Sequence, residues 1–286
     1  MSTASPESLH PFIFVGCWNR RGAPRNAVAD AVMKTDIANV ILGGDNVYPL
    51  PGTKSHAAEV FREGMELYAG KRLFGVLGNH NVKNISVGAE ELAYKGWTLP
   101  APYYVHRFKD AAIVCLDTNS MDGTLDVNVM AAWMRKTLAE LKAEGLPYYI
   151  VQHEPYASYK KSKLTTLVNG STLLYEMLEY PPVAILCADT HNFQVGMLNV
   201  RGTKILQFIV GTGGAAHDPI SVPTDAPIKI ADDIQLEFVN HIPGFGFLVC
   251  ERLASRRFEH VADWSLEATS GGRRRKTRRL RGRSRR

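Results

Sequence analysis

Cysteine is scarce in this chain: four in 286 residues, Cys17, Cys115, Cys187 and Cys250. No two are spaced as CxxC and they form no dense secreted framework, which argues for a reducing compartment. Three of the four read as small buried hydrophobes within predicted strands. Long apolar runs are missing too, and nothing approaches the ~20 residues of a membrane span. Residues 1–10 carry no basic n-region, and the first apolar run, about six residues, is too short for a signal peptide. These absences predict an intracellular protein, in cytoplasm or nucleus and not secreted, with the sequons at Asn84 and Asn169 unused.

Acidic residues are missing altogether from Arg273 to Arg286. The formal net charge is +6, of which the ten basic residues of that stretch supply +10, leaving −4 for residues 1–272. Its only large apolar residue is Leu280, so residues 266–286 are expected to be a disordered arginine-rich tail. Such a run reads as a tether to RNA or DNA, or as an address for an import receptor. Nucleic-acid binding of this kind depends strongly on salt and little on sequence.

What remains is ordinary in bulk and patterned in detail. A hydrophobic content of 45% suffices for a sizeable core. Strands are expected at 11–16, 40–42, 73–77, 111–116, 148–151 and 183–187, and helices at 27–34, 57–68, 127–141 and 171–178. Closing strands follow at 195–200, 205–210, 245–250 and 258–261. The alternation predicts an α/β fold in four layers, α/β/β/α, with two mixed sheets face to face and helices outside. An N-terminal extension covers 1–10 and a single domain 11–265.

Four short islands follow predicted strands: Gly44-Asp45-Asn46-Val47-Tyr48, Gly78-Asn79-His80, His153-Glu154-Pro155 and Asp189-Thr190-His191-Asn192. Donors at the carboxyl ends of successive strands converge on one sheet edge. A carboxylate (Asp45), a phenol (Tyr48), an amide oxygen (Asn79) and imidazoles (His153, His191) suit iron, manganese or zinc better than copper(I) or an iron–sulfur cluster.

The islands resemble the calcineurin-like metallophosphoesterases, and within them the purple acid phosphatase branch. Gly44, Asp45 and Tyr48 match its GDxxY, residues 78–80 its GNH, His153 with Pro155 its H-x-P, and His191-Asn192 the end of its GHxHN. The resemblance covers roughly residues 11–262. It implies a dinuclear centre of two divalent or trivalent metals (Fe, Mn or Zn), a phosphate ester substrate, and His80 as proton donor to the leaving alcohol.

Two positions depart from the pattern. Where the family has GDWG the chain has Gly16-Cys17-Trp18-Asn19, and where it has GHxH the chain has Ala188-Asp189-Thr190-His191. Carried over residue by residue, one metal is expected at Cys17, Asp45, Tyr48 and His191, the other at Asp45, Asn79, His153 and Asp189. A thiolate suits zinc or ferrous iron, but beside ferric iron it acts as a reductant. The acidic residue that follows GNH in the family is replaced by Asn81, expected to orient the His80 ring without charging it. The alternative is a catalytically degenerate member acting as a binding or scaffold component, tethered by its tail.

Other features take the plainer reading. Gly211-Thr212-Gly213-Gly214 lacks the lysine and helix of a phosphate loop and is expected beside the metal edge. Residues 160–163 read as a solvated loop near His153, His217 and His241 as loop histidines, and Tyr103-Tyr104 as strand packing rather than base stacking.

Overall fold

Four-residue apolar runs, each ended by glycine or a polar turn, form the centre of the molecule. The computed structural model describes residues 7–48, 56–82, 85–119, 126–160, 163–167, 169–220 and 227–263. The arginine-rich tail lies outside the described residues.

The first half contains β1 (Phe12–Val15), α1 (Ala23–Met33), β2 (Asn39–Leu42), α2 (Ala57–Glu66), β3 (Arg72–Gly75), α3 (Asn79–Val82), α4 (Ile85–Ala93), β4 (Tyr104–Arg107), β5 (Ala112–Cys115) and α5 (Val127–Glu144). The second contains β6 (Tyr148–Val151), β7 (Ala157–Lys160), β8 (Lys163–Thr166), α6 (Gly170–Glu176), β9 (Ala184–Cys187), β10 (Phe193–Val200), β11 (Thr203–Val210), β12 (Ile228–Ala231), β13 (Ile234–Ile242), β14 (Phe245–Arg252) and β15 (Ser255–Ala262). One sheet runs β15-β14-β1-β2-β3 and the other β12-β13-β10-β11-β9-β6-β5-β4. Both are mixed: β1, β2 and β3 are parallel, as are β5, β6, β9 and β11, with antiparallel strands around them. Parallel neighbours need a crossover, which α1, α2 and α5 supply. Asp126 caps α5 by accepting the Asn128 N–H (2.8 Å), and Gly145, at φ 64°, ends it in a left-handed turn.

Period-two alternation sorts the side chains into layers. In β6, Tyr149 and Val151 enter the core shared with Phe12, Phe14 and Ile41, while Tyr148 and Ile150 face Met134, Leu138 and Leu141 of α5. Ile113 and Cys115 of β5 and Ala184 and Leu186 of β9 follow the first set, Ala112, Val114, Ile185 and Cys187 the second. The inner core also takes Val28 and Val32 of α1 and Phe61 and Met65 of α2. Strands buried on both faces explain runs without polar alternation. All four cysteines are buried and free. Among the described residues no helix is long and apolar enough to cross a membrane.

The structure revises several expectations, and His241, expected in a loop, lies in β13. Residues 8–10 belong to the domain: Leu9 is buried and its N–H donates to Asp110 Oδ1 (2.6 Å), while the His10 ring bridges Asp110 Oδ2 (2.7 Å) and the Tyr149 hydroxyl (2.9 Å). Lys160 and Lys163 pair as the facing ends of β7 and β8, with Ser158 and Thr165 hydrogen-bonded across the hairpin (2.7 Å), while residues 161–162 lie outside the described residues. The region before β14 holds the hairpin β12–β13, whose Ile234 and Leu236 turn inward between charged neighbours.

At the carboxyl ends of the parallel strands the two sheets are stitched together. Gly16 N–H donates to Val210 O (2.9 Å), Gly213 N–H to Gly16 O (3.1 Å) and Ala215 N–H to Cys17 O (3.1 Å). The 211–214 glycine run therefore lines this rim.

Candidate metal centre

Three residues turn the chain sharply where parallel strands end: Cys17 after β1 (φ 51°), Asp45 after β2 (φ 52°) and Asp189 after β9 (φ 56°). A left-handed backbone costs a non-glycine residue roughly 1–2 kcal/mol, and such strain collects at functional sites. Close approach explains two of the motif glycines. A Cβ on Gly44, itself at φ 86°, would lie 2.5 Å from His153 Nδ1, and one on Gly78 would lie 2.1 Å from the Asp45 nitrogen.

Asp45 is the hub. Its Oδ2 accepts from the Tyr48 hydroxyl (2.7 Å), its Oδ1 accepts the His80 N–H (3.2 Å), and His153 Nε2 lies 3.2 Å from Oδ1. Tyr48 Oη is also 3.2 Å from His191 Nε2 and is a hydrogen-bond partner of the Cys17 thiol. Donor atoms of Cys17, Asp45 and His191 all lie within 4.8 Å of one another. On the other side of Asp45, Asp189 Oδ1 is 3.8 Å from His153 Nε2 and accepts from Asn79 Nδ2 (3.1 Å). All seven expected ligands are thus brought to one rim.

Both imidazoles are oriented from behind. His153 Nδ1 donates to Gly43 O (2.8 Å) and His191 Nδ1 to Ala216 O (2.6 Å), so each ring turns Nε2 toward the acids. Binding the outer nitrogen to a backbone carbonyl is the arrangement that fixes metal-ligating histidines. His153 is fully buried, and among the described residues its Nε2 faces two carboxylates, Asp45 Oδ1 at 3.2 Å and Asp189 Oδ1 at 3.8 Å.

The charges point the same way. Burial alone would raise the Asp45 carboxyl, but His153 beside it holds it well below the usual carboxylate range. Burial would depress His153, yet Asp45 and then Asp189 lift it to about 9. Burial, then Asp45, pushes the Cys17 thiol up, while burial, then Cys17 and Asp45, does the same to the Tyr48 phenol. Burial keeps His191 below its ordinary value. A cluster in which burial and the Asp45 charge keep protons on Cys17 and Tyr48, and Asp45 against burial keeps one on His153, fits a cation that would take their place.

His80 begins the short helix α3, its ring 4.7 Å from that of Tyr48, and its side chain keeps 46% of its exposure. Asn81 does not orient that ring. It turns into the protein, where its Oδ1 accepts from Gly78 N–H (2.8 Å) and its Nδ2 donates to Glu91 Oε1 (2.5 Å). Glu91, fully buried, also accepts from Asn46 Nδ2 (3.0 Å), and Asn46 Oδ1 accepts from Trp18 Nε1 (2.9 Å). This chain ties the 17–19, 44–48 and 78–82 loops together. Sequence reasoning missed Glu91, which has no motif around it. It also missed Asp218, whose Oδ2 accepts from Lys160 Nζ (3.1 Å) and from the His191 N–H (3.3 Å).

No protein-family model matches the sequence, and neither does any curated protein. Solved structures do match. GAP50, the anchor in the inner membrane complex of Plasmodium, is 12% identical with a TM-score of 0.64, covering 89% of each chain. A purple acid phosphatase from yellow lupin (Lupinus luteus) seeds is 15% identical, TM-score 0.65, covering 90% of this chain and 53% of that one. A dimetal phosphatase from Danio rerio is 10% identical, TM-score 0.55, covering 89% of this chain and 99% of that one. The chain has the calcineurin-like metallophosphoesterase fold. Within this metallophosphoesterase fold the seven residues occupy the strand ends of both sheets, and the departures at Cys17 and Asp189 fall on opposite sides of Asp45.

Proposed function

We propose that the chain is a metal-dependent phosphoesterase, hydrolysing phosphoric esters at a centre of altered ligands. Cys17, Asp45, Tyr48 and His191 would hold one metal, and Asp45, Asn79, His153 and Asp189 a second. The observation that carries this reading is the convergence of the Cys17, Asp45 and His191 donor atoms within 4.8 Å of one another, with the buried His153 Nε2 3.2 Å from the same Asp45. When bound, such metals supply positive charge to the phosphoryl oxygens and lower the pKa of a water. The chain's own residues do the rest. Asp45 anchors the His80 backbone, and the half-exposed His80 ring is placed to give a proton to the leaving alcohol. Lys160, 41% exposed in its side chain and felt by Asp189 and Cys17, sets one positive charge against an acidic rim that would otherwise repel a phosphate.

The test is metal content and hydrolysis of an aryl phosphate by protein purified without chelator. Bound zinc, manganese or iron with turnover is expected, and Cys17→Asp with Asp189→His raises the rate. Failure to bind metal after supplementation would sink the proposal.

A second reading is favoured by the two substitutions and by the end-to-end similarity to GAP50: a binding or scaffold component that has lost turnover. In either reading the basic stretch from Arg273 to Arg286 tethers the domain to RNA or DNA, or meets an import receptor. Full metal occupancy without turnover selects this reading over the first.

A further inference from the structure

We infer that the two metal positions are unequal: a thiolate-ligated ion occupies the Cys17 side tightly, and the Asp189 side fills only after Asn79 turns over. This rests on the reading of the rim as a metal centre.

The Cys17 side is assembled in advance. Three of its donors already lie within 4.8 Å of one another, and the Tyr48 oxygen stands 2.7 Å from Asp45 and 3.2 Å from His191. The backbone at Cys17 is pinned at both ends, its N–H donating to Gly44 O (3.2 Å) and its carbonyl accepting from Ala215 (3.1 Å). His191 is pinned by Ala216 at Nδ1 and by Asp218 at its N–H. An ion entering here finds the Cys17, Asp45 and His191 donors in place and has only to turn the Tyr48 hydroxyl proton away from Asp45. It forms a sulfur–metal bond, and the thiol proton leaves to solvent. Thiolate, imidazole, carboxylate and phenol together favour zinc or ferrous iron over magnesium, calcium or ferric iron.

The Asp189 side is differently arranged. Asn79 presents Nδ2, a donor, and spends it on Asp189 Oδ1 at 3.1 Å. That oxygen is the one facing His153 Nε2, at 3.8 Å. Among the described residues Asp45, His153 and Asp189 do not form a three-donor group like the one around Cys17. A cation here requires the amide to rotate its oxygen inward, giving up a hydrogen bond to a charged acceptor. Losing such a bond weakens binding on the order of tenfold to a hundredfold. The substitution of Asp189 thus supplies both a ligand and the latch that holds the position shut.

Cobalt(II) tests this, because a thiolate–cobalt bond gives a near-ultraviolet charge-transfer band that oxygen and nitrogen ligands do not. Metal-free full-length protein is titrated with cobalt while the band, bound metal and aryl phosphate hydrolysis are followed together. The first equivalent is expected to generate the whole band. A second should bind ten to a hundred times more weakly and leave the band unchanged. Cys17→Asp should bind a first equivalent without the band, and Asp189→Asn should keep the band and lose the second equivalent. Zinc should displace the first cobalt and abolish the band. Two equal equivalents, or saturation without the band, overturn the inference and leave the phosphoesterase reading standing. A band at one equivalent with no hydrolysis at any loading supports the inference and removes the phosphoesterase reading. No cobalt bound removes both.

Discussion

Replacing Glu91 with glutamine isolates the least conspicuous part of the rim. Burial pushes this carboxyl up to about 8, against the pull of the Asn46 amide and with the Asp45 charge adding to it. A group whose folded pKa is raised contributes stability that is complete below its unfolded pKa and lost as pH rises through the folded one. For Glu91 the window runs from the ordinary value of 4.5 to about 8. At about 1.4 kcal/mol per unit, the loss is on the order of 5 kcal/mol, a large share of a typical total of roughly 5–15 kcal/mol. Most of it, about 4 kcal/mol, falls between pH 5 and pH 9.

Glutamine has nearly the same shape and does not titrate. It does exchange one acceptor oxygen for an NH2 that meets the N–H of Asn46 or Asn81, at about 1–3 kcal/mol. The two melting curves should therefore cross. Glu91→Gln should match or fall slightly below the wild type at pH 5 and melt roughly 5–15 °C above it at pH 9, since 1 kcal/mol moves a domain of this size by about 2–4 °C. Thermal melts at pH 5, 7 and 9, in the same metal state for both proteins, decide the matter. Curves that fall in parallel would refute the reasoning, because the buried carboxyl would then not be the group taking up charge.

Three further outcomes can be measured on the same material. In metal-free protein His153, lifted to about 9 from 6.5, contributes stability present below pH 6.5 and lost through pH 9, on the order of 3 kcal/mol; saturating zinc should flatten that part of the slope, and identical melts with and without chelator at pH 6 and 9 would count against a shared proton and metal position. His80→Ala should lower kcat by about 10²–10⁴ with bound metal unchanged, whereas a parallel fall in metal content would make the residue structural. Truncation after Gly272 should abolish RNA retention at low salt and leave the fold intact, and retention that persists would locate the binding surface on the domain.

Much of the inner architecture was legible because its strands are buried on both faces and cannot alternate with polar residues. Tyr148–Val151 is such a run, and its predicted and observed bounds coincide. Legibility fell where exposure mixed charges into the pattern. The β12–β13 hairpin interleaves the charged Asp232, Asp233 and Glu237 with the inward Ile234 and Leu236, and β7 and β8 are joined by the polar pair Ser158–Thr165. At the rim, only the resemblance places Cys17 and Asp189, while Asp45, Tyr48, Asn79, His153 and His191 could be read from the strand ends they follow. Glu91 could not, since its role is set by a fold-back that places residue 91 behind residues 46 and 81. Neither could the direction of Asn81: its neighbour His80 turns outward and it turns inward, a choice made by the Gly78 and Asn46 N–H groups waiting for an acceptor.

The two departures from the family pattern gain their meaning from being taken together. Separately, Cys17 removes a carboxylate from one side of Asp45, and Asp189 adds one to the other. The seven positions keep two carboxylates in all, so the exchange moves charge across the rim without adding to it while Cys17 remains a thiol. Asp189 falls within reach of His153 Nε2 and Asn79 Nδ2, two groups that can satisfy it as a proton holder and as a donor. Cys17 falls where Tyr48, Asp45 and His191 crowd, and burial, then the Asp45 charge, keeps its proton on, so a cation that takes that proton also offsets the Asp45 charge. Each replacement meets partners of the complementary kind, Asp189 with Asn79 and His153, Cys17 with Tyr48.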